Sequence, residues 1–162
     1  MKGLEIKEKM KLWSKQIEGI VGTFCVRDIP EHAYMYHTHM KNQDLINRLL
    51  HGGKKNATTF DIPMEMVAEY IRKDLMDEIE RECFLYALLY NSSHNVKVYH
   101  DIWTDETIGH GYSKSPSHNW KDGPKTCRNI GIYAIRDTHS RFGFTILSVY
   151  PVFDEEDEDE EV

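Results

Sequence analysis

Nine histidines fall within 162 residues. An imidazole is the side chain whose ordinary pKa lets it take or give a proton near neutrality, so acid–base chemistry is the first chemistry to look for. His37 and His39 stand one residue apart, a spacing that on a strand turns both rings to one face and suits a metal ion. No carboxylate or third histidine stands at ligand spacing from them, and neither a metal nor another cofactor is expected. The GxSxG, Walker, GxGxxG and HExxH patterns are absent, and Gly109-His110-Gly111 is too short to cradle a phosphate. Near the C-terminal end, Ser148 and Tyr150 alternate within an apolar run. Strand geometry places their hydroxyls on one face, with Phe144 and Ile146 expected on that same face. Between residues 113 and 124, His118, Trp120 and Lys121 lie close to Lys114 and Lys125. Cations beside an indole can hold a nucleic-acid backbone and stack a base, although a solvated loop anchored by its tryptophan has the same composition.

The elements that must carry these groups follow from periodicity. Ile6, Met10, Trp13, Ile17 and Ile20 recur at helical spacing, which predicts an amphipathic helix ended by Gly22. Asn42 is the expected N-cap of a short helix over Gln43–His51, closed by Gly52-Gly53. Lys54–Thr59 reads as a loop. Asp61 is the expected cap of a longer helical region, with Pro63 in its first turn and apolar positions running from Met66 to Tyr90, long enough for two helices or one kinked helix. Beyond Asn91 the period changes to two. Strands are predicted over Val96–His100, Ile108–Tyr112, Asn129–Arg136 and Phe142–Val152, with Asp137–Arg141 as a hairpin connection. Helices followed by strands predict an α+β fold, N-terminal helices packed on a C-terminal antiparallel sheet.

Residues 154 to 161 are all acidic, and they dominate a net charge of -7. Removing these eight from the 27 acids leaves 19 against 20 bases, so the body carries about +1 and can meet an anionic partner. The expected organisation is one domain over residues 1–153 and a disordered acidic tail over 154–162. That tail is either a solubiliser or, beginning three residues after Pro151, a competitor with an anionic ligand. Cys25, Cys83 and Cys127 are odd in number and far apart, against a disulfide framework. No signal peptide or membrane span is expected, and the expected site of action is the cytoplasm.

Two stretches together resemble a known family. In residues 37–71, His37 is followed by Leu45, Arg48, the run Ala57-Thr58-Thr59-Phe60, and Ala68-Glu69 in a helical pattern. Residues 126–152 end a hairpin-like pattern with Ser148-Val149-Tyr150-Pro151. This order and spacing resemble the bacterial ribonuclease A-like toxin domains at the C-termini of contact-dependent inhibition proteins and other polymorphic toxins. Ser148 stands where the family carries threonine, the helical middle is long, and the acidic tail is an addition.

The resemblance implies a ribonuclease A-like fold and metal-independent RNA cleavage. The 2′-hydroxyl attacks the adjacent phosphate and leaves a 2′,3′-cyclic phosphate, which points to RNA, tRNA among the candidates, and not to DNA. It implies His37 as general base or acid and Arg48 as the cation on the phosphate. Ser148 and Tyr150 would contact phosphate or base, with Tyr150 also a candidate for the second proton transfer. His110, His118 and His139 stay open for that second role. A continuous helix from 37 to 48 would hold the two α-carbons about 16 Å apart, so a chain break between them is required. The family also implies a cognate immunity protein and delivery into a target cell. Competing readings are a small ribonuclease of the colicin and RelE-like group, a non-enzymatic partner-binding protein on a nuclease-like scaffold, and an immunity partner. The first two are separated by topology and by whether His37, Arg48 and Tyr150 converge.

Overall fold

The computed structural model describes residues 2–91, 96–114 and 120–154; the expected acidic tail beyond Asp154 lies outside them. Among these described residues it is an α+β fold of four α-helices and a five-stranded antiparallel sheet. Helix α1 spans Lys2–Ile17 and buries Met10, Trp13 and Ile17 on one face. It stops short of the predicted end at Gly22. Gly19 weakens a helix there, and the Thr23 hydroxyl donates to the Ile20 carbonyl at 2.6 Å. Three 3-10 turns follow, at Val21–Thr23, Val26–Asp28 and Glu31–Ala33.

Helix α2 spans Asn42–His51, and its N-cap is Lys41 where Asn42 was expected. The Asn42 side chain is engaged elsewhere, its Oδ1 lying 2.8 Å from His110 Nε2. Leu45 and Leu49, four residues apart, are fully buried. They form a small core with Ala57 and Tyr112, packed over by Met40, Ile46 and Trp120. The predicted Gly52-Gly53 stop holds: Gly53 takes φ 69°, the left-handed turn that favours glycine.

The predicted loop over Lys54–Thr59 is instead largely strand β1, Asn56–Phe60. Four of its five residues are buried, so both faces are covered and no alternation marks it in the sequence. Helices α3, Met64–Met76, and α4, Glu78–Asn91, divide the long apolar run. Pro63, not Asp61, precedes α3. Asp77 is extended and its carboxylate accepts from the Ile79 and Glu80 N–H groups at 3.0 and 3.1 Å, starting α4 afresh. No helix among the described residues is long and apolar enough to cross a membrane.

Strands β2, Val98–Trp103, β3, Gly109–Ser113, β4, Lys125–Arg136, and β5, Phe144–Phe153, complete the sheet. Strand β4 is its spine. It pairs with β5 along nearly its whole length, with β2 over residues 129–134 and with β3 over residues 125–127; β1 adds to β3. The main core lies between α1, α3, α4 and one sheet face, including Ile102, Ile130, Ile132, Phe144, Ile146 and Val149.

The pairing of β4 with β5 shifts at two points, once between Cys127 and Asn129 and once between Tyr133 and Ala134. Tyr133 faces Ser148 while the next residue, Ala134, faces Ile146, so Leu147 is an extra residue in β5. A single insertion inverts side-chain parity. Core-facing positions therefore run Phe144, Ile146, then Val149, and Ser148 and Tyr150 point to the other face. This corrects the expectation that the two hydroxyls share a face with Phe144 and Ile146. Deleting Leu147 should lower stability by at least about 2 kcal/mol, because the hydroxyls must enter the core or the pairing must slip. Leu147→Ala, which keeps the bulge, should cost about 1 kcal/mol. Urea denaturation separates the two, and equal midpoints would contradict the assignment.

Candidate active site

A cleft of about 480 Å³ opens on the face of the sheet away from the main core, and His37, Arg48, Ser148 and Tyr150 all line it. His37 reaches it from the irregular segment before α2. Its N–H donates to the Tyr34 carbonyl at 2.8 Å and its carbonyl accepts from Phe60 N–H at 2.7 Å. Thr38 forms a parallel bridge with Phe60, so this segment is laid against the end of β1. His39 then turns the chain with φ 51°. The two histidines are thus not on one strand face, and His39 is exposed. The turn and Lys41 supply the break required between His37 and the helix that carries Arg48. Arg48 Nη1 donates to the Tyr36 carbonyl at 2.7 Å, which ties the helix to the residue before the histidine. From the opposite wall Tyr150 brings its ring to 5.7 Å from that of His37, centroid to centroid.

The tautomer of His37 follows from its surroundings. Nδ1 lies 3.4 Å from the Thr58 carbonyl oxygen, which can only accept, so Nδ1 carries the proton and Nε2 keeps its lone pair. Burial pulls the His37 pKa below its ordinary 6.5; the Arg48 and Lys54 charges pull the same way, and the Thr58 carbonyl opposes them. His37 is accordingly a neutral base at neutral pH. Tyr150 moves in the other direction. Burial above all, then the Tyr99 and Tyr133 phenols and the Asp101 carboxylate, raise its pKa, so it remains a hydrogen-bond donor.

Lys54, Lys55, Lys97 and Lys125 line the same cleft, and Asp154 is the only carboxylate that does so among the described residues. Lys97 Nζ stands 4.6 Å from the centre of the Tyr133 ring, and Lys125 Nζ 5.0 Å from that of Phe153. Of these lysines, the sequence pointed to Lys125 alone, through its place near Trp120; Lys54, Lys55, Lys97 and the Thr58 carbonyl carry no signal there. Lys54 and Lys55 come from the α2–β1 connection, Thr58 from β1, Lys97 from the connection before β2 and Lys125 from β4, so only the fold brings them together.

Other candidates lie elsewhere. His110 places Nδ1 at 2.9 Å from the Asp61 carboxylate, clasping the start of α2 to β3, and it does not line the cleft. His139 sits in the β4–β5 hairpin turn. Trp120 packs on Leu45 and Leu49, with Lys121 Nζ 5.8 Å from its ring, and neither lines the cleft. His118 lies outside the described residues. Asp74, Glu80 and His100 bring potential metal-ligand atoms within 4.8 Å of one another, away from the cleft.

No protein-family model matches the chain, and no curated protein matches it. The fold and cleft define an α+β protein with a basic, histidine-bearing groove. That fold is similar to a chain in the crystal structure of the CdiA-CT/CdiI complex from Y. kristensenii 33638. The two share 22% identity with a TM-score of 0.54, over 75% of this chain and 98% of that one.

Because His37 binds fewer protons when folded than when unfolded, its contribution to stability is present above pH 6.5 and is lost as pH falls through that value towards the folded pKa. NMR titration should show the His37 ring titrating below 6.5. Arg48→Met should move its midpoint upward by removing a neighbouring charge. A midpoint that is unshifted in the variant would contradict the proposed coupling.

Proposed function

We propose that this chain is a metal-independent endoribonuclease of toxin type that cleaves cellular RNA, tRNA among the candidates, by 2′-hydroxyl transesterification. The observation that carries the reading is the convergence of His37, Arg48, Ser148 and Tyr150 in one lysine-lined cleft. The reaction needs a base near neutrality, charge on the phosphorane and a proton for the leaving oxygen. His37 Nε2 takes the proton of the 2′-hydroxyl as that oxygen attacks phosphorus. The Arg48 guanidinium presents donors to the non-bridging oxygens, and Ser148 adds a hydroxyl there. As the P–O5′ bond breaks, the departing alkoxide takes the Tyr150 phenol proton, and water restores it. The products are a 2′,3′-cyclic phosphate and a free 5′-hydroxyl. DNA, without the 2′-hydroxyl, lacks the nucleophile.

The same convergence favours an enzyme over a binding module that merely retains the scaffold. Four lysines on the cleft wall supply the local positive charge that a near-neutral body needs to hold a polyanion. The structural neighbour occurs in a CdiA-CT/CdiI complex. This supports a protein partner here too, and a cognate immunity protein is the partner that a cell carrying such an enzyme requires. The site of action is the cytoplasm of a cell into which the toxin is delivered.

Cleavage of single-stranded RNA should proceed in EDTA and yield cyclic phosphate ends, with a rate limb that rises with pH and has its midpoint below 6.5. His37→Ala should lower kcat/KM by about 10²–10⁴ and Arg48→Ala by about 10²–10³. Arg48→Lys should recover only part of the loss, because an ammonium lacks the planar fork. Gel and mass analysis of the products checks each point. RNA left intact by the wild-type protein across sequences, salt and pH would overturn the proposal.

A further inference from the structure

We propose that the open face of β2 and β4 beside the cleft is a base-stacking shelf for single-stranded RNA, with Tyr99 at its inner end and Trp103 as its outer platform. This rests on the ribonuclease reading for the identity of the strand and goes beyond it by assigning a second binding surface. Strand β2 alternates: Val98 and Ile102 enter the core, while Tyr99, Asp101 and Trp103 face the opposite side. Tyr99 is 42% and Trp103 68% exposed. Two large rings on one strand face beside the cleft form a surface on which bases can stack.

The rings form a path. Tyr99 lies 5.2 Å from Tyr133, Tyr133 lies 6.2 Å from Tyr150, and Tyr150 reaches His37 at 5.7 Å, all between ring centroids. Between Tyr150 and Asp101 in the cross-strand row stands Gly131. A Cβ there would lie 3.0 Å from Tyr99 ring atoms and 2.8 Å from a Val152 methyl. The missing side chain therefore lets the Tyr99 ring lie across β4 towards the cleft. Trp103 is opposite Asn129, two strands across and two residues along from Tyr150, about 12 Å away by strand geometry. Nucleotides beyond the scissile phosphate reach it.

Charge sets the orientation of the strand on this face. Asp101 accepts from Asn129 Nδ2 at 3.3 Å and lies between Tyr99 and Trp103 along β2. Its carboxylate repels phosphate and accepts N–H groups, so bases face the sheet. The phosphates then run along the side where Arg48, Lys54, Lys55 and Lys97 stand. Stacking on such rings tolerates every base, so the shelf adds affinity for unpaired strands with little sequence preference.

The test compares Trp103→Ala and Trp103→Phe with wild type on a hexaribonucleotide, a dinucleoside monophosphate and an uncleavable 2′-deoxy hexamer. Trp103→Ala should raise the hexamer KM and the deoxy-hexamer Kd about tenfold, the loss of one stacked base. The dinucleotide KM should stay unchanged, and Trp103→Phe should keep most of the hexamer affinity. Unchanged hexamer KM and deoxy-hexamer Kd in Trp103→Ala would overturn the shelf. If wild type cleaves neither RNA, the ribonuclease reading falls and the deoxy-hexamer decides the shelf separately. A Trp103-dependent Kd upholds it, and an equal Kd overturns it.

Discussion

Strand β5 has to satisfy two demands at once. It supplies Phe144, Ile146 and Val149 to the main core and Ser148 and Tyr150 to the cleft. Strict alternation cannot do both, since it would put residues 144, 146, 148 and 150 on one side. The extra residue Leu147 resolves the conflict by inverting the parity between Ile146 and Ser148. The remaining geometry depends on that inversion. Without it Tyr150 would not face His37, and the aromatic path along β4 would lose its link to the cleft.

The opposite wall is built by local ties. The segment before α2 is held to β1 by hydrogen bonds from Phe60 N–H to the His37 carbonyl and from His39 N–H to the Phe60 carbonyl, which flank the Thr38–Phe60 bridge. Arg48 fastens α2 to the same segment through the Tyr36 carbonyl, while Leu45 and Leu49 seat the helix on Ala57 and Tyr112. These contacts put a cation next to an imidazole that is itself half-buried. Burial and cation both favour the neutral ring, and the Thr58 carbonyl fixes which nitrogen keeps the lone pair. On the facing wall, burial keeps the Tyr150 phenol protonated. One environment thus sets a neutral imidazole and a protonated phenol beside each other, ring to ring at 5.7 Å.

Much of this was legible in the sequence, and the failures have physical causes. The helical stripes of α1, α3 and α4 follow from periodicity because each buries one face, and the C-terminal strands follow from runs of β-branched and aromatic residues between turn signals. Strand β1 escaped because it is covered on both faces and follows Gly52-Gly53 and two lysines that read as a loop. Asn42 and Asp61 have the right chemistry for caps, yet tertiary contacts with His110 claim both side chains. The grouping of His37, Arg48, Ser148 and Tyr150 was available from spacing and resemblance. Their facing was not, since the bulge at Leu147 leaves no mark on the hydrophobic pattern until the core is seen. Lys54, Lys55 and Lys97 look like ordinary surface charge. Trp120, which composition suggested as a stacking residue, serves the small core beneath α2.

The central claim is that one phosphate of an RNA strand sits between the two walls. A crystal structure with an uncleavable 2′-deoxy oligonucleotide tests it most directly. The account predicts the scissile phosphate within hydrogen-bond distance of the Arg48 guanidinium and the Ser148 and Tyr150 hydroxyls, with the sugar 2′ position facing His37 Nε2. A phosphate bound elsewhere, or His37 turned with Nδ1 towards the sugar, would contradict it.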